Sequence, residues 1–165
     1  MSSPAAKDII DSLALIPHPE GGYYREMYRS DKTISADHLE GLRSAYTTIY
    51  FFLGQSDFSA WHRVLSDETW LFHVGGELDL FQFDSDGRLV QTTIGPGANV
   101  YQFTVPAGRW FAAKPVEPDQ YCLVSCFVAP GFEFGDFEIA RREDLLRTHG
   151  TTDLHRELIE TFTRV

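Results

Sequence analysis

The chain has 165 residues and a formal net charge of −10, from 24 acidic and 14 basic side chains. That balance argues against nucleic acid or an anionic membrane surface as a partner, because both attract proteins through excess Lys and Arg. The length suits one domain, read here as a single unit over 1–165, with enough buried surface to fold without a metal or a disulfide.

Thirteen Phe, seven Tyr and three Trp supply aromatic mass for a core and for a lined cavity. Cys122 and Cys126 are the only cysteines and fall in one expected strand. Four strand residues separate their Cα atoms by ~13 Å, too far for a bridge, so both read as small core residues. No basic segment followed by an apolar run marks a signal peptide. No apolar run reaches the ~18 residues of a membrane span, so the cytoplasm is the expected compartment.

Ile9, Ile10, Leu13 and Ile16 recur at helical spacing behind Ser3-Pro4, which predicts an amphipathic helix over 4–15, ended by Pro17 and Pro19. His18-Pro19-Glu20-Gly21-Gly22 is a turn, and Tyr23 to Arg29 a strand with Tyr23, Arg25, Met27 and Arg29 on one face. Arg25 either lines a polar pocket or pairs with a surface carboxylate. Residues 30–44 lack a period and read as a loop, with His38 solvated.

Ala45–Leu53 is a continuous apolar run of the kind buried on both faces. Strands follow at 58–65, 69–74, 78–83, 89–94, 101–105, 110–114 and 121–129, divided by Gly, Pro and Asp-Gly signals. Asp84-Ser85-Asp86-Gly87 is a hairpin turn, since the other ligands of a calcium loop are missing. Residues 132–138 alternate aromatic with acidic or small side chains and form either an edge strand or a covering arm. Helices close the chain at 142–149 and 152–162, the second capped by Thr152, with His149 and His155 at the surface. Together these elements predict an all-β body, a sandwich or barrel, with short terminal helices.

Between Trp61 and Gly76 two histidines and an acidic pair lie among aromatic residues. Gly54, Ala60, His62, Glu68 and Gly75 have the spacing of the first cupin motif, in which a glycine precedes His-x-His and a glutamate and a glycine follow. Pro106-Ala107-Gly108-Arg109-Trp110-Phe111 corresponds to the second motif. The segments His18-Pro19-Glu20-Gly21-Gly22-Tyr23-Tyr24-Arg25, Trp61-His62-Arg63 with Ser66-Asp67-Glu68, and Pro130-Gly131-Phe132 with Asp136-Phe137 resemble one cupin-superfamily family of largely unassigned function.

The resemblance implies a cupin fold (a jelly-roll barrel of two antiparallel sheets) with a pocket at its mouth, and usually a homodimer. Metal-binding cupins hold their ion with three histidines and a glutamate. Here Ala60 and Phe111 stand at two of those four positions, so no metal is expected as a cofactor. A divalent ion, if held, would use His62 and Glu68, which are too few for a tight site. His73 should face away from Glu68, because five residues separate them on one strand.

Without a metal, His62 and Glu68 are candidate catalytic groups for proton transfer, since imidazole titrates near neutrality and a carboxyl among aromatics is shifted upward. The superfamily resemblance implies metal-independent epimerase chemistry, with His62 as base and Tyr24 or Tyr50 as acid. Tyr24, Arg25, Tyr50, Trp61 and His73 are the candidate substrate-binding residues. The expected function is an isomerase or epimerase acting on a sugar or other small carbonyl compound. The alternatives are a metal-dependent cupin enzyme and a non-catalytic protein that binds a small polar molecule.

Overall fold

Short apolar strands divided by Gly and Pro turns give two antiparallel sheets that face each other. The computed structural model describes residues 6–164. A helix α1 (Ala6–Ser12) leads into β1 (Ile16–Pro17), β2 (Tyr23–Arg29), β3 (Thr33–Ile34), β4 (Arg43–Ser44) and β5 (Thr47–Leu53). Then come β6 (Ser59–Val64), β7 (Asp67–Gly75), β8 (Leu78–Phe83), β9 (Leu89–Ile94), β10 (Gln102–Val105), β11 (Phe111–Pro115) and β12 (Cys122–Ala129). A 3-10 turn at Phe134–Asp136 precedes β13 (Phe137–Ile139), and α2 (Arg142–His149) and α3 (Asp153–Thr161) close the chain.

One sheet has the order β1-β2-β5-β12-β7-β10, the other β13-β6-β11-β8-β9, and β3-β4 form a separate two-stranded ribbon. Between the sheets lie Phe51, Leu53, Trp70, Leu80, Phe111 and Val124. A second cluster joins the outer face of the five-stranded sheet to α2 and α3 through Trp61, Phe83, Leu145, Ile159 and Phe162. A third seats α1 on the outer face of the other sheet, against Phe52 and Leu123. Phe51, Phe52 and Leu53 are therefore all buried, which is why β5 carries apolar residues without alternation.

Several expectations shift. The first helix is shorter than 4–15, and Ser3-Pro4 lie outside the described residues. The 30–44 loop contains the β3–β4 ribbon, while His38 is exposed there as expected, with its ring Nε2 2.9 Å from the Leu65 carbonyl. His149 and His155 are half-buried against Phe83, at ring distances of 4.5 and 5.4 Å, rather than free at the surface. The 132–138 segment divides into a strap over the barrel mouth and an edge strand on β6. Thr152 caps α3, its hydroxyl accepting the His155 N–H.

Candidate functional site

Three register shifts decide which side chains meet. In β2 the shift between Glu26 and Tyr28 leaves Met27 as the extra residue and moves Arg29 to the face of Tyr24 and Glu26. In β6 the irregularity between the pairs Ala113–Ser59 and Phe111–His62 brings Ser59 and His62 to the same side, although three residues separate them. In β7 the shift falls at His73, between Phe72 and Val74, and His73 stays on the outer face.

The result is a cavity of about 130 Å³ at the barrel mouth, with Glu20, His62, Glu68 and Cys126 in its depth and Phe134 of the strap and Phe137 of β13 at its rim. Glu20 comes from the turn between β1 and β2, where no periodicity in the sequence marks it as a site residue. Its peptide carbonyl accepts from the Ala60 N–H at 2.8 Å and from Arg164 Nε at 3.1 Å. Its carboxyl points inward: Ser59 Oγ donates to Oε1 at 2.8 Å, and Oε2 lies 3.2 Å from His62 Nε2 and 3.4 Å from His18 Nδ1.

These contacts fix the protons. His62 Nδ1 is 2.7 Å from the Ala60 carbonyl, an acceptor only, so Nδ1 carries the hydrogen and Nε2 is the acceptor in the neutral ring. Burial lowers the His62 pKa to about 3 and that of His18 to about 4, so both rings are neutral. Burial, reinforced by repulsion from Glu68, holds the Glu20 carboxyl well above the usual range. Glu20 is thus the proton donor in its contact with His62. The Glu20 N–H donates to His18 Nδ1 at 3.3 Å, which places the His18 hydrogen on Nε2.

Glu68 projects from β7 on the same side as Trp70. Burial raises its pKa to about 7, and the Cys126 thiol and Trp70 indole beside it offset part of that rise. The Trp70 N–H nevertheless makes no hydrogen bond of normal geometry. Two buried carboxyls thus face one cavity, one protonated and the other poised near neutrality. Cys126 itself is kept as a thiol by burial and by these carboxyls.

His62, Glu68 and Tyr24 reach the cavity, as do His18 and Glu20, which the sequence places only in a turn. The other candidates do not. Trp61 faces the C-terminal helices, where its Nε1–H donates to the Leu158 carbonyl at 2.9 Å and its ring stacks on Phe83. Arg25 and Tyr50 are direct partners in the β2–β5 register and share the outer face, where Tyr50 packs with the α1 cluster. Arg25 Nη1 donates there to the Leu13 carbonyl at 3.2 Å, and His73 Nε2 meets Ser125 Oγ at 2.5 Å. Of the two tyrosines considered as acid, only Tyr24 lines the cavity. The signal for Glu20 lies in His18-x-Glu20 followed by two glycines, a tight turn that aims two polar side chains inward.

The four positions that hold metal in metal-binding cupins carry Ala60, His62, Glu68 and Phe111, and the His62 ring packs on Phe111 at 4.0 Å. Both His62 nitrogens are engaged, and among the described residues no three His, Cys, Asp or Glu side chains are arranged to hold an ion. This donor set does not fit a divalent metal. No helix among the described residues is long and apolar enough to cross a membrane.

Over most of its length the chain has relatives. A protein of Shewanella oneidensis, SO0799, matches at 34% identity over 98% of this chain and 99% of that one, with a TM-score of 0.87. A hypothetical protein from Leishmania major matches at 34% identity over 98% and 100%, with a TM-score of 0.86. The uncharacterized protein YML079W of Saccharomyces cerevisiae is 27% identical over 157 residues, 86% of this chain and 78% of that protein. The family model described as Cupin superfamily (DUF985) matches residues 7–140. The chain belongs to that family of the cupin superfamily.

Proposed function

We propose that the protein is a metal-independent isomerase or epimerase that moves a proton on a small carbonyl compound held at the barrel mouth. The observation that carries this reading is the pair of buried carboxyls, Glu20 and Glu68, whose surroundings set their protonation apart within one cavity. A pair separated in this way supplies an acid and a base at one pH. Glu68, with a pKa of about 7, is the base that removes a proton next to the carbonyl. Glu20 is the acid that returns one, and His62 and Ser59 hold its carboxyl in place.

His62 has a pKa lowered to about 3 by burial and its Nε2 already accepts the Glu20 proton, so its role is to position Glu20 rather than to act as the base. The cavity walls are largely aromatic, and the burial of these carboxyls and imidazoles strengthens each contact between them. The test is hydrogen exchange: small cyclic carbonyl compounds incubated with the protein in heavy water, read by NMR at the carbonyl-adjacent carbon. Exchange that disappears in Glu68→Gln and in Glu20→Gln is the expected result. A panel that shows none with the native protein overturns the reading.

A further inference from the structure

Resting on the reading of this cavity as the substrate site, its charge and shape narrow the class of substrate. Glu20 and Glu68 are 5% and 7% exposed, and the two imidazoles near them are neutral. Among the described residues, the arginine of the cavity lining is Arg29, at the rim, and its guanidinium is already committed. Nε and Nη2 donate to Glu26 at 3.1 and 2.9 Å, Nη1 to Glu133 at 2.8 Å, and Nη2 also to the Phe132 carbonyl at 3.0 Å. A phosphate or carboxylate entering here would meet four carboxyl groups and, among the described residues, no free cation, at a desolvation cost nothing repays.

The walls carry the complementary signal. Tyr24, Phe51, Phe134 and Phe137 line the space around the carboxyls, and aromatic faces attract cations through the ring quadrupole. Glu68 forms no ion pair with any described residue, so a positive ligand would supply the counter-charge it lacks. The volume of about 130 Å³ is close to the ~150 Å³ of a protein cavity that holds one benzene.

We propose that the substrate is a small organic cation, a protonated amine or amidine on a frame the size of one six-membered ring. This supplies what proton abstraction beside a carbonyl otherwise lacks here. When Glu68 takes the proton, the electron pair moves onto the carbonyl oxygen, and that developing negative charge needs a positive neighbour. No free side-chain cation of the described residues lines the cavity, so the substrate brings its own.

Calorimetric titration at pH 8 with three matched probes, benzylammonium, benzyl alcohol and benzoate, tests the class. Benzylammonium is expected to bind about tenfold or more tightly than benzyl alcohol, with benzoate not binding. Glu68→Gln, isosteric and checked for folding by thermal melt, removes the carboxylate charge that faces the cavity at pH 8 and should shrink that preference. Benzyl alcohol or benzoate binding as tightly as benzylammonium overturns the cationic class while leaving the cavity a ligand site. A preference unchanged in Glu68→Gln places the cation on the acidic surface and overturns the proposal. Failure of all three probes to bind overturns it too, together with the substrate-site reading on which it rests.

Discussion

Glu20 Oε2 lies 3.2 Å from His62 Nε2, while the other nitrogen of that ring is spent on the Ala60 carbonyl. The direction of proton donation follows from that second bond: a ring that donates through Nδ1 accepts at Nε2 when neutral. Glu20 therefore holds its proton between a carboxyl and an imidazole, both buried, with the Ser59 hydroxyl on its other oxygen. Glu20→Gln keeps the shape, but its amide cannot release a proton. Turnover or exchange should fall by about 10²–10⁴-fold, the usual worth of a positioned acid or base, with little change in melting temperature. His62→Asn should lower the rate less than Glu20→Gln, because it removes the support and not the proton. Rates in the two variants, measured beside thermal melts, check the order.

Four buried groups of the cavity, His18, His62, Glu20 and Glu68, set a pH signature of stability. A histidine whose folded pKa is depressed contributes stability that is present above about 6.5 and is lost as pH falls toward the folded value, here about 4 for His18 and about 3 for His62. A carboxyl whose folded pKa is raised does the reverse: its contribution is full below about 4.5 and is lost as pH rises, toward about 7 for Glu68 and in the same direction for Glu20. Between pH 5 and 6.5 the two effects oppose, two protons against two. The native protein should show only a shallow rise there, from His149, whose pKa burial also lowers. Glu68→Gln leaves the histidines in excess, so its stability should rise with pH by about 1.4 kcal/mol per pH unit. His62→Asn should instead fall by a similar slope. Urea melts across that window give the sign directly.

Much of the fold was legible because its signals are local. The turn dipeptides placed β8 and β9 at their observed bounds, and alternation within β7 already set His73 opposite Glu68. Alternation in β6 likewise puts Trp61 and His62 on opposite faces, so the two belong to different surroundings although they are neighbours. What the sequence concealed depends on irregular backbone. Glu20 lies in a turn without a period, and it meets His62 only because β6 begins beside that turn. Arg29 and Ser59 reach the cavity side through shifts of register, and such shifts leave no mark in an alternation pattern. Tyr24 and Tyr50 were equal as candidates until the pairing of Arg25 with Tyr50 set one outward and left the other inside.

Trp61 offers a clean separation of stability from chemistry. It is fully buried, stacked on Phe83 at 4.9 Å, and its indole donates to the Leu158 carbonyl. Trp61→Phe keeps an aromatic ring but removes one of the two donors to that carbonyl, the Phe162 N–H remaining, and leaves the space incompletely filled, at a cost of about 1–3 kcal/mol. The cavity lies on the other side of β6, so ligand affinity should stay within about twofold, since distant sites act independently. Chemical denaturation and probe titration on one variant test both halves.

Gly21 ties the site to the C-terminus. Its φ is +114°, a conformation L side chains rarely adopt, and a Cβ there would collide with the Phe58 carbonyl and the Arg164 guanidinium. Arg164 in turn donates to the Glu20 carbonyl, to the Phe58 carbonyl and to Asp57, so the turn that carries Glu20 is clamped from both sides. Gly21→Ala should cost at least about 2 kcal/mol through strain and displacement, and should lower proton exchange by moving the Glu20 carboxyl away from His62. Gly87 has φ +76°, but a methyl group there would have no neighbour within 4 Å, so Gly87→Ala should cost only about 1 kcal/mol and leave exchange unchanged. Denaturation midpoints paired with exchange rates for the two variants decide whether the clamp at Gly21 acts on the site or on folding alone; equal exchange in both would separate Glu20 placement from this turn.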